Sequence, residues 1–281
     1  MTLLEPVVFI TGGAGHIGRA IAKEWIARHA RAIVLTDLDQ QALDGAVAEL
    51  AEAAKVASSS SPTQIKGIKA DASVWSEINN ALEQTVAELG SVEYVFANAG
   101  AVKSASVDLS VPQEPGADWY SLFDSHFKTT LNTIHAAIPR LAKSDAADKL
   151  LIVTSSASSF SRFSYNPPYG IAKTAINQIV LNYRDLLPAG VRMTAFAPNW
   201  VLTPQIAPLA PLLAGPKTIE ETIAAMMTHV DDHEANGIVT VHEPDGRLHN
   251  VEPYYVNRSD CSIKMAQEIQ QFQLRAQKQQ Q

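Results

Sequence analysis

Seven apolar runs separated by stretches of helical period predict an α/β fold: a single doubly wound parallel sheet with helices on both faces. The runs lie at 7–10, 32–36, 66–70, 92–97, 149–154, 191–197 and 238–242. Helical patterns run from 16 through Ala30 and near 39–55, 74–89, 118–143, 169–187 and 218–230. The first run passes directly into Thr11-Gly12-Gly13-Ala14-Gly15-His16-Ile17-Gly18, so strand, glycine-rich turn and helix follow one another.

Between these elements the connections have their own signatures. Ala57-Ser58-Ser59-Ser60-Ser61-Pro62-Thr63 reads as an exposed loop before the third strand. After the sixth strand, prolines at 204, 208, 211 and 216 interrupt the alternation. That insertion sits beyond the carboxyl end of a strand, where open α/β sheets bind ligands, and 203–230 is expected to form a substrate lid, with Leu209, Leu212 and Leu213 covering something apolar. A surface loop stiffened by proline is the alternative. The Gln-rich stretch 267–281 is expected to be a polar tail. With no internal repeat and no dividing linker, residues 1–281 are expected to form one dinucleotide-binding and catalytic domain.

Composition narrows the function classes. Of 281 residues, 46% are hydrophobic and 18% charged, which describes a globular chain with ample apolar surface for a core. A net charge of −7 argues against nucleic acid or an anionic membrane as principal partner. Cys261 is the single cysteine, so no internal disulfide forms, and no Cys/His cluster has zinc-ligand spacing; no metal site is expected. The apolar N-terminal stretch has no basic segment before it and is cut short by Thr11-Gly12-Gly13, so a cytoplasmic location is expected.

Two motifs carry chemistry. In the glycine-rich turn, glycines let the backbone approach a pyrophosphate, and the helix that follows offers free N–H groups and a positive dipole end. A second apolar run ends in Asp37, 19 residues after Gly18, close to the spacing of an acid that binds an adenosine ribose; the alternative is that Asp37 caps the next helix, with Asp39 as the rival cap. Asp37 would accept hydrogen bonds from a free 2′-hydroxyl and repel a 2′-phosphate, which favours NAD over NADP. His16 and Arg19 are cations or potential cations that lean the other way. The second motif is Tyr169 with Lys173, four residues apart and on one helical face. A free phenol ionises near pH ~10 and needs a nearby cation to act as an acid/base at neutral pH. Lys173 is placed to be that cation.

With these motifs in order, residues 6–245 resemble the short-chain dehydrogenase/reductase family, of the classical size class. The resemblance rests on the turn at 11–18, Asp71 after the third strand, Asn98-Ala99-Gly100 after the fourth, Ser156 after the fifth, Tyr169 with Lys173, and Pro198 followed by Thr203 after the sixth. It implies a Rossmann-type sheet with Tyr169 as catalytic acid/base. Lys173 would lower the tyrosine's pKa and hold the nicotinamide ribose, and Ser156 would bond the substrate oxygen. Ser155 and Ser158 are rivals for the serine role. By the same resemblance Asp71 contacts the adenine, Asn98 supports the central strand, and Thr203 holds the nicotinamide amide. The implied cofactor-binding set is Gly12, Gly15, His16, Ile17, Gly18, Asp37, Asp71, Asn98, Ala99, Gly100, Tyr169, Lys173, Pro198, Val201 and Thr203.

Three positions depart from the family pattern. His16 stands where the middle glycine is usual, and His126 stands where a helix normally presents an asparagine to a proton relay; an imidazole there could serve the relay or block it. Asn199 follows Pro198 where glycine is usual, and Asn tolerates left-handed backbone. The chain also lacks the usual glycine-rich tetramer-forming end, and looks more like the branch that includes prostaglandin dehydrogenase; a homo-oligomer, with a dimer favoured, is expected. Trp200 either walls the substrate pocket or belongs to the core. The expected function is an NAD(H)-dependent interconversion of a secondary alcohol and a ketone on an apolar small molecule, with Ser156, Tyr169, Lys173 and His126 as the catalytic set. The alternative is a non-redox cyclase or isomerase in which the cofactor is structural.

Overall fold

The computed structural model describes residues 5–58, 60–100, 110, 114 and 116–251. Among them the strands are β1 (Val7–Thr11), β2 (Ala32–Asp37), β3 (Gln64–Lys69), β4 (Tyr94–Ala97), β5 (Lys149–Thr154), β6 (Val191–Ala197), β7 (Val239–His242) and β8 (Leu248–Asn250). They form one sheet in the order β3-β2-β1-β4-β5-β6-β7-β8, and each pairing from β3 to β7 is parallel. The chain winds outward from β1 to β3, then returns to place β4 on the other side of β1. This reversal opens a crevice at the carboxyl ends of β1 and β4, where such sheets bind ligands.

Central strands of a doubly covered sheet must be apolar on both faces. Accordingly Val7, Val8, Phe9 and Ile10 of β1 are fully buried, as are Val95 and Phe96 of β4. Helix α1 (His16–Ala27) buries Ile21, Ala22, Trp25 and Ile26 on one face. The Trp25 ring packs against Tyr94 and Phe96 at centroid distances of 4.4 and 6.3 Å, which ties α1 to β4. The remaining helices are α2 (Gln40–Ala57), α3 (Trp75–Leu89), α4 (Ala117–Leu141), α5 (Pro167–Tyr183) and α6 (Ile219–Asp231). The buried face of α4 carries Thr129, Thr130 and Thr133, and each hydroxyl donates to a carbonyl four residues back, so none enters the core unsatisfied.

Element ends follow local chemistry. Asp39 is the N-cap of α2 and accepts from the Ala42 amide at 3.0 Å, so Asp39, and not Asp37, fills the capping role. Thr218 and Glu221 form a capping box at the start of α6. The helical pattern expected to reach Ala30 ends at Ala27, because His29 takes a left-handed φ of 59° and turns the chain into β2.

Two expectations change. The second half of the expected lid is α6, which packs Ile223, Met226, Met227 and Val230 into the core beside α1. In the first half, Leu209 and Leu212 are 44% and 83% exposed in a short 3₁₀ turn (Ala207–Leu212), and Leu213 beside it is half-buried. Strand β8 was not foreseen; its three residues are all exposed. Residues through His249 make one compact unit, and those from Asn250 a second, of which Asn250 and Val251 alone are described. The expected tail 267–281 and Cys261 lie outside the described residues. No helix among the described residues is long and apolar enough to cross a membrane.

Candidate active site

The glycine-rich turn is built by close approach. Gly12 has a φ of +64°, and a Cβ there would lie 2.9 Å from the Cα of Ala99. A Cβ at Gly18 would lie 2.3 Å from the Gly12 carbonyl oxygen, so only glycine lets α1 pack this tightly on the turn. His16 needs no such freedom: it is an exposed first residue of α1 without left-handed backbone. The family's middle glycine is therefore dispensable in this turn. Gly15, the N-cap, offers no side chain to the first-turn amides, and that turn holds no acid. The amides of His16, Ile17 and Gly18 are left pointing outward with the positive end of the helix dipole.

Asp37 ends β2 half-buried beside this turn. Its carboxylate accepts from the Ala14 amide at 3.1 Å and the Asp39 amide at 3.3 Å. Arg19 is committed elsewhere: its Nε donates to the Ala14 carbonyl and its Nη1 to Glu49, both at 2.8 Å. Asp71 accepts from the Ser73 amide at 2.8 Å, so its carboxylate shapes the approach to α3.

Thr11 and Asn98 join the strand ends. The Thr11 hydroxyl accepts from the amides of Asn98 and Ala99 at 3.0 and 3.1 Å. The Asn98 amide group donates to the Thr11 and Gly12 carbonyls at 3.2 and 3.4 Å, and its Oδ1 accepts from Thr154 at 3.2 Å. One asparagine thus spans the ends of β1, β4 and β5. Thr11 and Thr154 were missing from the expected site, although Thr11 opens the glycine-rich motif.

On the far side of the crevice, Ser156, Tyr169, Lys173 and His126 come together. The three serines separate by orientation. Ser155 is buried and donates to Asn177 Oδ1 at 2.5 Å, away from the tyrosine. Ser158 donates to the Ser156 hydroxyl at 3.0 Å, and Ser156 in turn hydrogen-bonds Tyr169. Burial pushes the Tyr169 phenol above its ordinary pKa, and the Ser156 bond pulls it back toward the ionised form. Lys173 Nζ donates to the Thr154 carbonyl at 2.6 Å and sits 5.8 Å from the centre of the Tyr169 ring. Burial lowers the Lys173 ammonium to about 8.

His126, on α4, is buried and meets the Tyr169 ring edge-on, with centroids 4.8 Å apart and planes at 85°. Room for it comes from Gly100, where a Cβ would lie 2.6 Å from His126 Nδ1. The Pro198 carbonyl accepts from the Ala157 amide at 2.9 Å and so anchors the Ser156 turn to the end of β6. Asn199 does not use left-handed backbone; its Oδ1 accepts from the Trp200 amide at 2.9 Å. Val201 is buried and bridges Lys217, while the Thr203 carbonyl starts the turn that follows.

The family model described as short chain dehydrogenase matches residues 6–211. An uncharacterized oxidoreductase of Staphylococcus epidermidis is 31% identical over 202 residues, which cover 71% of this chain and 80% of that protein. A cis-2,3-dihydrobiphenyl-2,3-diol dehydrogenase of a Pseudomonas strain is 26% identical over 231 residues, 82% of this chain and 78% of its own length. Among solved structures, NAD+-bound xylitol dehydrogenase superposes with a TM-score of 0.72 at 17% identity, covering 86% of this chain and 98% of that one. Levodione reductase gives 0.73 at 19%, covering 86% and 97%.

Proposed function

The chain belongs to the short-chain dehydrogenase/reductase family, and from that premise we propose that it is an NAD(H)-dependent oxidoreductase interconverting a secondary alcohol and a ketone on an apolar small molecule. The observation that carries this reading is the arrangement around Tyr169: Ser156 hydrogen-bonds its phenol, and the buried Lys173 Nζ lies 5.8 Å from its ring centre while donating to the Thr154 carbonyl at the end of β5.

The residues fit a nicotinamide dinucleotide. Glycines at 12 and 18 let the turn pack closely against Ala99 and α1, uncapped amides open α1, and Asp37 stands at the end of β2. When bound, this cofactor supplies the hydride acceptor or donor. The chain's own residues do the rest. Outward amides of α1 bind the pyrophosphate, and Asp37 accepts a ribose 2′-hydroxyl. A 2′-phosphate at that point meets the Asp37 charge, and Arg19 is held by hydrogen bonds to the Ala14 carbonyl and Glu49, so NAD is preferred to NADP.

Tyr169 takes the alcohol proton in oxidation and returns it in reduction, while Ser156 holds the same oxygen. Burial alone opposes phenolate. The Ser156 hydrogen bond favours it, and Lys173, 5.8 Å from the ring centre, is the cation proposed to support it when the proton moves. Positioning of the two reacting partners contributes roughly 7–11 kcal/mol, against roughly 3–5 kcal/mol for one acid/base group.

His126 motivates a second reading. It fills space beside Tyr169 that the family gives to a smaller relay asparagine, which keeps a non-redox cyclase or isomerase in view. A homodimer in the cytoplasm completes the proposal. Titration with NADH and with NADPH, followed by nicotinamide fluorescence excited through tryptophan, tests the cofactor assignment. Tight NADH with weak NADPH binding is expected; binding of neither overturns the dinucleotide reading.

A further inference from the structure

Phe9, Phe96 and Phe196 of the core are fully buried. Phe163, Tyr169 and Trp200 are only partly buried, and they stand together. The Phe163 ring is 5.9 Å from Tyr169 with planes at 53°, and 6.4 Å from Trp200 with planes at 48°. These residues come from three separate segments: the loop before α5, α5 itself, and the end of β6. Gly170, directly after Tyr169, makes the seat. A Cβ there would lie 3.3 Å from the Phe163 Cβ, tighter than ordinary contact, so a larger residue would lift Phe163 off the start of α5.

We propose that Phe163 and Trp200 form an aromatic wall that selects substrates whose reacting carbon is attached directly to a planar aromatic ring, aryl carbinols and aryl ketones. The proposal rests on the oxidoreductase reading and deepens it by naming the substrate class. With the Phe163 ring 5.9 Å from the Tyr169 ring, a substrate whose oxygen is bonded to Ser156 and Tyr169 would have one of its two substituents within reach of Phe163. Two rings tilted at about half a right angle leave a wedge rather than a flat floor. Aromatic pairs favour such offset and tilted contacts at centroid distances of roughly 4.5–7 Å, beyond the area that a saturated ring would bury equally well. In oxidation, the C–H and O–H bonds of the carbinol break and C=O forms. Hydride passes to the oxidised nicotinamide dinucleotide and the proton to Tyr169; reduction reverses every transfer.

Acetophenone and cyclohexyl methyl ketone, which differ in ring unsaturation, test this. Each is measured by initial rates with NADH and by calorimetric binding to the NAD+ complex, for the wild type, Phe163→Leu and Trp200→Leu, with melting curves to check folding. The wild type is expected to favour acetophenone in kcat/KM by about fivefold, the scale of an aromatic contact. In each folded variant that preference falls toward one through KM, while the cyclohexyl ketone changes less than about twofold and NADH affinity is unchanged. Equal efficiency on both ketones in the wild type, or equal losses on both in the variants, overturns the wall and leaves the oxidoreductase reading standing. NADH binding without binding of either ketone overturns the aryl assignment. Failure of NADH itself to bind overturns the reading beneath it.

Discussion

The Ala14 amide donates to the Asp37 carboxylate at 3.1 Å, so the acid at the end of β2 is part of the glycine-rich turn rather than a bystander beside it. Its charge is held in place by backbone, where a ribose 2′-hydroxyl can find it. Removal of Asp37 therefore has two consequences. In Asp37→Asn the negative charge disappears, and NADPH affinity rises relative to NADH by about tenfold or more. In Asp37→Ala the Ala14 amide also loses its acceptor, which costs about 1–3 kcal/mol of stability. Parallel fluorescence titrations and denaturant melts of the two variants separate these effects.

Close packing at Gly18 predicts a second outcome. The 2.3 Å approach to the Gly12 carbonyl leaves no room for a methyl group, so Gly18→Ala lowers stability by about 1–3 kcal/mol and weakens NADH binding severely. Gly15→Ala is the control. Its nearest contact would be 3.3 Å and its backbone is extended, so a small shift accommodates it and NADH binding survives. Equal loss of binding in both variants would contradict the packing argument.

His229 sets an acid limit on the fold. Its Nδ1 lies 2.6 Å from the Thr194 hydroxyl, its Nε2 is buried without a partner, and burial lowers its pKa to about 4. In the unfolded chain the same imidazole protonates near ~6.5, so between the two values the unfolded state binds more protons. Stability from this group is complete above about pH 6.5 and is lost as pH falls toward 4, by up to about 3 kcal/mol. Denaturant midpoints measured from pH 7.5 to 4.5 should fall more steeply for the wild type than for His229→Gln.

Much of this was legible in the chain because it rests on periodicity. Val7 to Ile10 are apolar throughout and 191–197 are buried and mostly apolar, with Arg192 and Thr194 the exceptions, as a central parallel strand requires, and Tyr169 with Lys173 needed only helical spacing to share a face. The features that sequence could only rank, or did not reach, depend on where side chains point. Ser155 and Ser156 are adjacent and chemically identical, and only the path of the chain after β5 turns one toward Asn177 and the other toward Tyr169. The choice between Asp37 and Asp39 as helix cap was open for the same reason, and Asp39 takes it by reaching the Ala42 amide. Phe163 carried no pattern at all, since its role comes from a seat over Gly170. The leucines at 209 and 212 suggested a lid by composition, whereas their exposure is set by a tight proline-bounded turn.

Tyr169→Phe measured beside the wild type tests the central claim most directly, because it removes one oxygen atom and leaves the ring against His126 and Phe163. With a ketone that the wild type reduces, the variant is predicted to bind NADH with unchanged affinity and to lose turnover by about a thousandfold or more. Turnover within a few-fold of the wild type would contradict the assignment of Tyr169 as the acid/base.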